Sequence, residues 1–280
     1  MRVENILDAI GSVLNLGKVF LRSKYSTLKL TREHNTLTIL ANGPSLSATL
    51  SENSAFEGDI MVVNSFFKTD KFTTLKPKYY IISAPEFWLP MKGEAYISMQ
   101  QELEYSFAND VNWEMIFFIP YKSKKHNYGK RIESINPKIK TVYYNDTAID
   151  SNTWIDRWLM NTKLAMPRPH NVLIPSLMIS TWMGYSTINA YGADHSWLPS
   201  IYVDTNNNTF LTQKHFYDAK SAKAAPMLKD KEESRKLHEM LHKFYLSFKA
   251  YHVINSWSAT KGTKIINKTK ESFIDAFERK

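Results

Sequence analysis

With no cysteine among its 280 residues, this chain has no thiolate, disulfide or cysteine-held zinc chemistry, so proton transfer falls to histidine, carboxylate and hydroxyl groups. Histidine is the natural general base near neutral pH. Of the eight histidines, His215 lies in QKHFYD, where Phe216 and Tyr217 could fix the imidazole, and His195 follows a strand end in GADHSW. The expected base is His215, with His195 in reserve. Tyr217 and Tyr202 are the hydroxyls expected to steady a leaving phosphate. Asp194-His195 also reads as a helix-capping or core pair. His238, Glu239 and His242 spell HEMLH, the letter pattern of zinc metalloproteases; Lys236 and Lys243 flank it, and no third ligand follows. The chain has no DxD carboxylate pair, so no metal bridging a nucleotide sugar is expected, and no cofactor.

The elements that must carry these groups are legible in the hydrophobic pattern. Asn35–Leu50, NTLTILANGPSLSATL, is a short apolar run broken by Asn42-Gly43-Pro44-Ser45 and followed by an amphipathic segment. That is a buried strand, a tight turn and a helix start: Gly43 relaxes the dihedrals, Pro44 suits a first helical turn and Ser45 can cap free amides. At the carboxyl edge of an open α/β sheet such a turn favours an anion, although neither a Walker pattern nor GxGxxG is present.

Further strands are expected at Asp59–Val63, 78–82, Met115–Ile119, Lys140–Tyr144, Thr187–Tyr191 and Lys264–Asn267, with a polar basic loop at Tyr121–Arg131. Helices are expected at Trp154–Leu164, Val172–Met183, Lys231–Ala250 and Lys270–Glu278. Apolar strands alternating with helices describe an α/β fold, a Rossmann-like, doubly wound, mostly parallel sheet. The expected organisation is an N-terminal amphipathic helix over 1–34, a nucleotide-binding core over 35–195, a polar aromatic lid over 196–230 with a turn at Asn206-Asn207-Asn208, and C-terminal helices over 231–280 completing the core.

Ile6, Ile10, Val13, Leu14, Val19 and Phe20 recur at helical spacing near the N-terminus, beside Lys18, Arg22 and Lys24. The pattern is expected to pack on the domain, with contact to an anionic membrane surface as the alternative. No apolar run reaches the length of a membrane span, and Arg2, Glu4 and Asp8 interrupt any signal-peptide core. A cytoplasmic protein follows as the expectation, with peripheral attachment to the inner face of the membrane open. The net charge of +9 calls for an anionic partner, yet the basic residues are scattered and no nucleic-acid motif is present, so no nucleic acid is expected. Homo-oligomerisation stays open.

ANGPSL at 41–46, VVNSFF at 62–67 and an apolar helix–MGY–strand–GADH unit at 172–195 stand in a fixed order that resembles the small bacterial sialyltransferases and related polysaccharide glycosyltransferases and Maf-type flagellin glycosylation proteins. Those carry a GNGPSL turn, a CNxF turn and an ALGY…GID unit. The resemblance implies a single Rossmann-like domain with a lid, a GT-A-like variant, and metal-independent inverting transfer from a CMP-activated acidic sugar. A glycan or glycolipid acceptor in cell-surface polysaccharide or lipopolysaccharide assembly is implied with it. It assigns Asn42, Gly43, Pro44 and Ser45 to donor phosphate and ribose, and Asn64 to the donor contact at the next strand end. Two places depart from the pattern. Ala84-Pro85 stands where the family has Asn-Pro, leaving Ser83 as the replacement. Pro169-His170-Asn171-Val172-Leu173 stands where it has Arg-x-Thr-Ser-Gly, putting Asn171 beside the donor, as the GADH unit does Asp194. An ATP- and magnesium-dependent pterin pyrophosphokinase-like enzyme, sharing the same turn, and a catalytically silent nucleotide-binding module are the alternatives.

Overall fold

The computed structural model describes residues 3–24, 32–52, 55–89, 94–149, 152–217, 223–227 and 233–280. In chain order the elements begin with α1 (Val3–Arg22), β1 (Thr36–Leu40), α2 (Leu46–Glu52), β2 (Asp59–Val63), α3 (Lys71–Leu75), β3 (Tyr79–Ile81) and α4 (Glu94–Asn109). They continue with β4 (Met115–Pro120), α5 (Tyr128–Ile135), β5 (Ile139–Tyr144), β6 (Ala148–Ile149), α6 (Trp154–Asn161), β7 (Met166–Pro167), α7 (Leu173–Trp182) and β8 (Thr187–Tyr191). Then follow β9 (Ile201–Val203), β10 (Thr209–Leu211), β11 (Ala225–Pro226), α8 (Leu237–Ala259), β12 (Lys264–Asn267) and β13 (Glu278–Arg279).

The central sheet has eight strands in the order β13-β12-β8-β1-β2-β3-β4-β5, and its pairings are parallel. Because both faces are covered, successive residues of one strand enter different cores. Leu37, Ile39, Met61, Val63, Tyr79 and Ile81 join the core under α7 and α8. Leu40, Val62, Tyr80 and Phe117 join the one that includes α2, α4 and α5 residues. Burial on both faces is why these strands read as continuous apolar runs. Strand order reverses at β1, which pairs with β2 on one side and β8 on the other. That reversal opens the crevice in which doubly wound sheets hold ligands.

Several expectations need correction. Helix α1 ends at Arg22, and the residues after 24 up to 31 lie outside the described part of the chain. Its expected packing face is kept only in part: Val19 is buried as expected, whereas Val13, Leu14 and Phe20 are exposed and Ser12, Asn15 and Ser23 are buried; the side chains of Ile6 and Ile10 lie outside the description. The basic loop after β4 is helical, a 3-10 turn at Tyr121–His126 leading into α5. The 196–230 segment, part of which lies outside the described residues, contains the antiparallel sheet β9-β10-β11. Its hairpin turn falls at the expected asparagines, where Asp204 Oδ1 accepts from the amides of Asn206 at 3.0 Å and Asn208 at 2.7 Å.

The helix expected at 270–278 is replaced by turns and β13. Its hydroxyls engage backbone instead: Thr269 Oγ1 accepts from the Ala193 amide at 2.9 Å, and Ser272 Oγ donates to the Ala193 carbonyl at 2.6 Å. Side chains that bond backbone in this way compete with helix formation. The result is a clamp on the turn after β8, completed by the Phe273 amide donating to Asp194 O at 2.9 Å. Among the described residues no helix is long and apolar enough to cross a membrane.

Candidate active site

Two turns meet at the crevice where strand order reverses. The turn after β1 carries Asn42-Gly43-Pro44-Ser45, and the turn after β8 carries Gly192-Ala193-Asp194-His195. The Gly43 amide donates to Gly192 O at 2.8 Å. A Cβ on Gly43 would lie 1.9 Å from Asp194 Oδ2 and 2.5 Å from Gly192 O, so no larger residue fits without movement. Gly192, at φ +65°, is also close-packed: a Cβ there would lie 2.8 Å from the Ala41 carbonyl oxygen.

The anion at the N-terminus of α2 is the chain's own. Asp194 accepts from the Ser45 hydroxyl at 2.8 Å and from the Ser45 amide at 3.1 Å. Burial raises the Asp194 carboxyl above its ordinary range, and the Ser45 hydrogen bonds only partly offset it. The phosphate expected at this amide therefore meets a position filled by a carboxylate. At α7 the same holds: Asn171 Oδ1 accepts from the amides of Leu173 at 3.0 Å and Ile174 at 3.4 Å. Both helix starts at the crevice are capped internally.

Over these turns lies a cleft of about 590 Å³, within the range of small-molecule sites. Of the residues singled out from sequence, Asn42, Gly43, Pro44, Asn64, Ser83 and Asn171 line it, as do Asp194, His195, His215 and Tyr217. Ser45 and Tyr202 do not. Ser45 is turned to Asp194. Tyr202 stands on β9, about half exposed, with its ring stacked on Phe210 at 5.2 Å, so its hydroxyl is not among the groups at the cleft.

Among the buried polar atoms of the lining, Asn42 Oδ1, Asn64 Oδ1 and Asn171 Nδ2 have no hydrogen-bond partner among the described residues. The other end of Asn42 is fixed, its Nδ2 donating to Val63 O at 3.2 Å. Asn64 sits at φ +46°, a strained conformation for a residue with a side chain, while its carbonyl accepts from the Tyr80 hydroxyl. Buried polar groups without partners are costly, and at a cleft they mark where a ligand supplies the missing bonds. Two acceptors and one donor suit a polyhydroxylated or amide-bearing ligand.

His215 and Tyr217 are brought in by the residue between them. The Phe216 amide donates to Asn42 O at 3.1 Å, and its ring packs 5.7 Å from Phe66. This anchor sets the two flanking side chains together, their rings stacked at 5.2 Å. His195, at φ +51°, is different in kind. Its imidazole is enclosed by Trp197, Phe248 and Tyr251, and burial pulls it down to about 3. A ring that takes a proton only in acid is poorly matched to general-base work near pH 7.

The hydrogen bonds around His195 fix its tautomer. Asn171 Oδ1 must face the α7 amides that it caps, so the Tyr251 hydroxyl donates to it, at 2.9 Å. The Tyr251 oxygen then accepts, and His195 Nε2, 2.5 Å away, is the protonated nitrogen. Nδ1 carries the lone pair.

Sequence reasoning missed the cations of the cleft. Lys122, Lys214 and Lys243 line it with Glu86 and Asp146. Lys122 is paired with Asp146 at 2.6 Å. Burial, aided by the charge of Arg235, lowers the Lys243 ammonium. Lys214 adjoins His215 in sequence and Lys122 belongs to the basic cluster at 122–125, but nothing in the local pattern of α8 distinguishes Lys243.

The HEMLH segment forms the first turns of α8. His238 and His242 are exposed, and Glu239 accepts from the Lys236 amide at 2.9 Å as a cap. The described residues that could hold a metal ion by proximity are Glu33, His34 and Asp59, at the amino ends of β1 and β2, away from the cleft. Lys78 already bridges that group, 2.8 Å from Glu33 and 3.3 Å from Asp59.

Compared with known protein families and with curated proteins, the chain matches none. The fold and cleft define the class: an α/β protein with a doubly wound parallel sheet and a polar cleft at its switch point.

Proposed function

We propose that this cleft binds a nucleotide-activated acidic sugar and that the protein is a metal-independent inverting glycosyltransferase of cell-surface polysaccharide assembly. The observation that carries the reading is the convergence, at the β1/β8 crevice, of the unpartnered Asn42 and Asn64 oxygens with His215 and three lysines. The asparagine oxygens accept from ribose or base N–H and O–H groups. Lys214 and Lys243 face the phosphate and the sugar carboxylate, a task the capped helix starts cannot perform. The resemblance of the ANGPSL, VVNSFF and GADH turns to sialyltransferase-like enzymes favours CMP as the nucleotide.

In the proposed reaction an acceptor hydroxyl attacks the anomeric carbon from the face opposite the leaving group. His215 takes the hydroxyl proton, the anomeric carbon–oxygen bond breaks, and its electron pair leaves on the phosphate of CMP. A positioned base contributes about 10²–10⁴-fold to rate. Lysine ammoniums and the Tyr217 hydroxyl offset the charge growing on the leaving phosphate. His195 keeps a neutral ring beside this path through Tyr251 and Asn171.

The test is transfer from CMP-activated and UDP-activated sugars in excess chelator, followed against pH for wild type and His215→Ala. Turnover that persists in chelator and falls at least 10²-fold in the variant, with donor binding retained, supports the reading. Turnover of ATP that needs added magnesium would assign the cleft to the pyrophosphokinase class instead.

A further inference from the structure

Helix α1 is amphipathic in the wrong sense for a helix that only packs on its domain. Over 11–24 its inward face is mostly polar, with Val19 the one apolar side chain in the core. Ser12 Oγ lies 2.6 Å from Thr153 Oγ1 and donates to Asp156 Oδ2 at 3.0 Å, and Asn15 Nδ2 donates to Asp156 Oδ1 at 3.1 Å. Ser23 Oγ donates to Leu164 O at 2.6 Å. Its outward face is apolar: Phe20 is 85% exposed and Leu21 78%, beside Val13 and Leu14. Helix α6, to which these bonds fasten it, adds Trp154 at 79% exposure and Trp158. Exposed apolar side chains of this size, on two helices bonded to each other, mark an interaction surface.

Charge selects the partner. Over 11–24 the chain carries Lys18, Arg22 and Lys24 and no acidic residue, and α6 contributes Arg157. Among the described side chains of this face the one carboxylate, Asp156, is fully buried and consumed by Ser12, Asn15 and its own capping box with Thr153. We propose that the α1–α6 face docks on an anionic lipid surface. Phe20, Leu21, Trp154 and Trp158 enter the headgroup boundary, and the four cations meet the acidic headgroups. A second copy is the poorer fit, because a twofold contact sets this basic face against itself in a chain of net charge +9.

The docking face adjoins the cleft. The Lys24 amide donates to Asn145 Oδ1 at 3.0 Å, and Ser23 Oγ bonds Thr147 Oγ1 at 2.6 Å. Asp146, between those two anchors, lines the cleft. Docking through α1 therefore sets the cleft beside the membrane, where a lipid-borne substrate is within reach. The docking face is made by α1 and α6 and does not depend on what the cleft transforms.

The full chain is sedimented with vesicles of phosphatidylcholine and with vesicles of phosphatidylcholine and phosphatidylglycerol. Partition at least tenfold stronger to the anionic vesicles, weakening as salt is raised, is expected. Phe20→Ser/Leu21→Ser should lose at least tenfold with an unchanged melting temperature, since both side chains are exposed, and with nucleotide binding unchanged. Lys18→Ala and Arg22→Ala should each lose about fivefold. Equal partition of wild type and Phe20→Ser/Leu21→Ser, or no partition of wild type, would overturn the proposal. So would a wild-type dimer that Phe20→Ser/Leu21→Ser converts to monomer, which would make the face a contact between copies.

Discussion

The carboxylate of Asp194 holds Ser45 by both hydroxyl and amide, at 2.8 and 3.1 Å, and this pair locks the turn after β1 to the turn after β8. The site is built on that lock. It lets Asn42 and Asn64, at the ends of adjacent parallel strands, present oxygens to a single cleft.

Gly43→Ala tests the lock. Its new Cβ would meet Asp194 Oδ2 at 1.9 Å, and overpacking of this kind costs about 1–3 kcal/mol. Gly17→Ala is the control, because its Cβ meets nothing within 4 Å and replacing glycine within a helix gains about 0.5–1 kcal/mol. Urea unfolding of the two variants should move in opposite directions. A Gly43→Ala protein as stable as wild type would remove the close approach from the account.

Protonation of His195 links stability to pH. Burial lowers its folded value to about 3, well below the ordinary value near 6.5, so the unfolded chain binds the extra proton first. The contribution is fully present above pH 6.5 and is lost as pH falls toward 3, at up to about 1.4 kcal/mol per pH unit. Nitrogen-15 NMR should find a neutral Nε2–H ring from pH 5 to 8. An imidazolium at pH 5 would contradict the assignment.

At the amino ends of the central strands, the Tyr79 hydroxyl donates to Tyr185 at 3.0 Å, and Tyr185 donates to the buried carboxylate of Asp59. Burial alone would raise Asp59, but hydrogen bonds from Tyr185 and His34 and the charge of Lys78 outweigh it and leave the carboxyl lowered. A depressed carboxyl stabilises the fold above its unfolded value near 4, and that stability is lost as pH falls through the folded value. Tyr185→Phe should cost about 1.5–3 kcal/mol at pH 7, with the gap narrowing at pH 3. A gap of the same size at both values would place the effect in packing rather than in the charged bond.

Most strands of the central sheet could be read from sequence because burial on both faces leaves uninterrupted apolar runs: Asp59–Val63 and Thr187–Tyr191 fall where expected. Asn42, Asn64 and His215 were legible because each follows a strand end or lies in a polar aromatic segment. Side-chain to backbone bonding was not. Thr269 and Ser272 turn a helical pattern into a clamp, and Asp194 fills the anion position of α2 from 149 residues away. Hydrophobic periodicity identified α1 as a helix but assumed that its apolar side faces inward, whereas the hydrogen bonds of Ser12 and Asn15 to Asp156 reverse it in part. Lys243 reaches the cleft only through the tertiary placement of α8.

The central claim is that Asn42 and Asn64 hold a nucleotide at the β1/β8 crevice. Calorimetric titration of CMP, UDP, GDP and ATP into wild type, Asn42→Ala and Asn64→Ala, in excess chelator, tests it most directly. CMP is expected to bind wild type, and each variant, measured well below its own melting temperature, to bind it about tenfold or more weakly, as the loss of a buried hydrogen bond implies. CMP affinity identical in wild type and both variants, or no nucleotide bound by any of them, would contradict it.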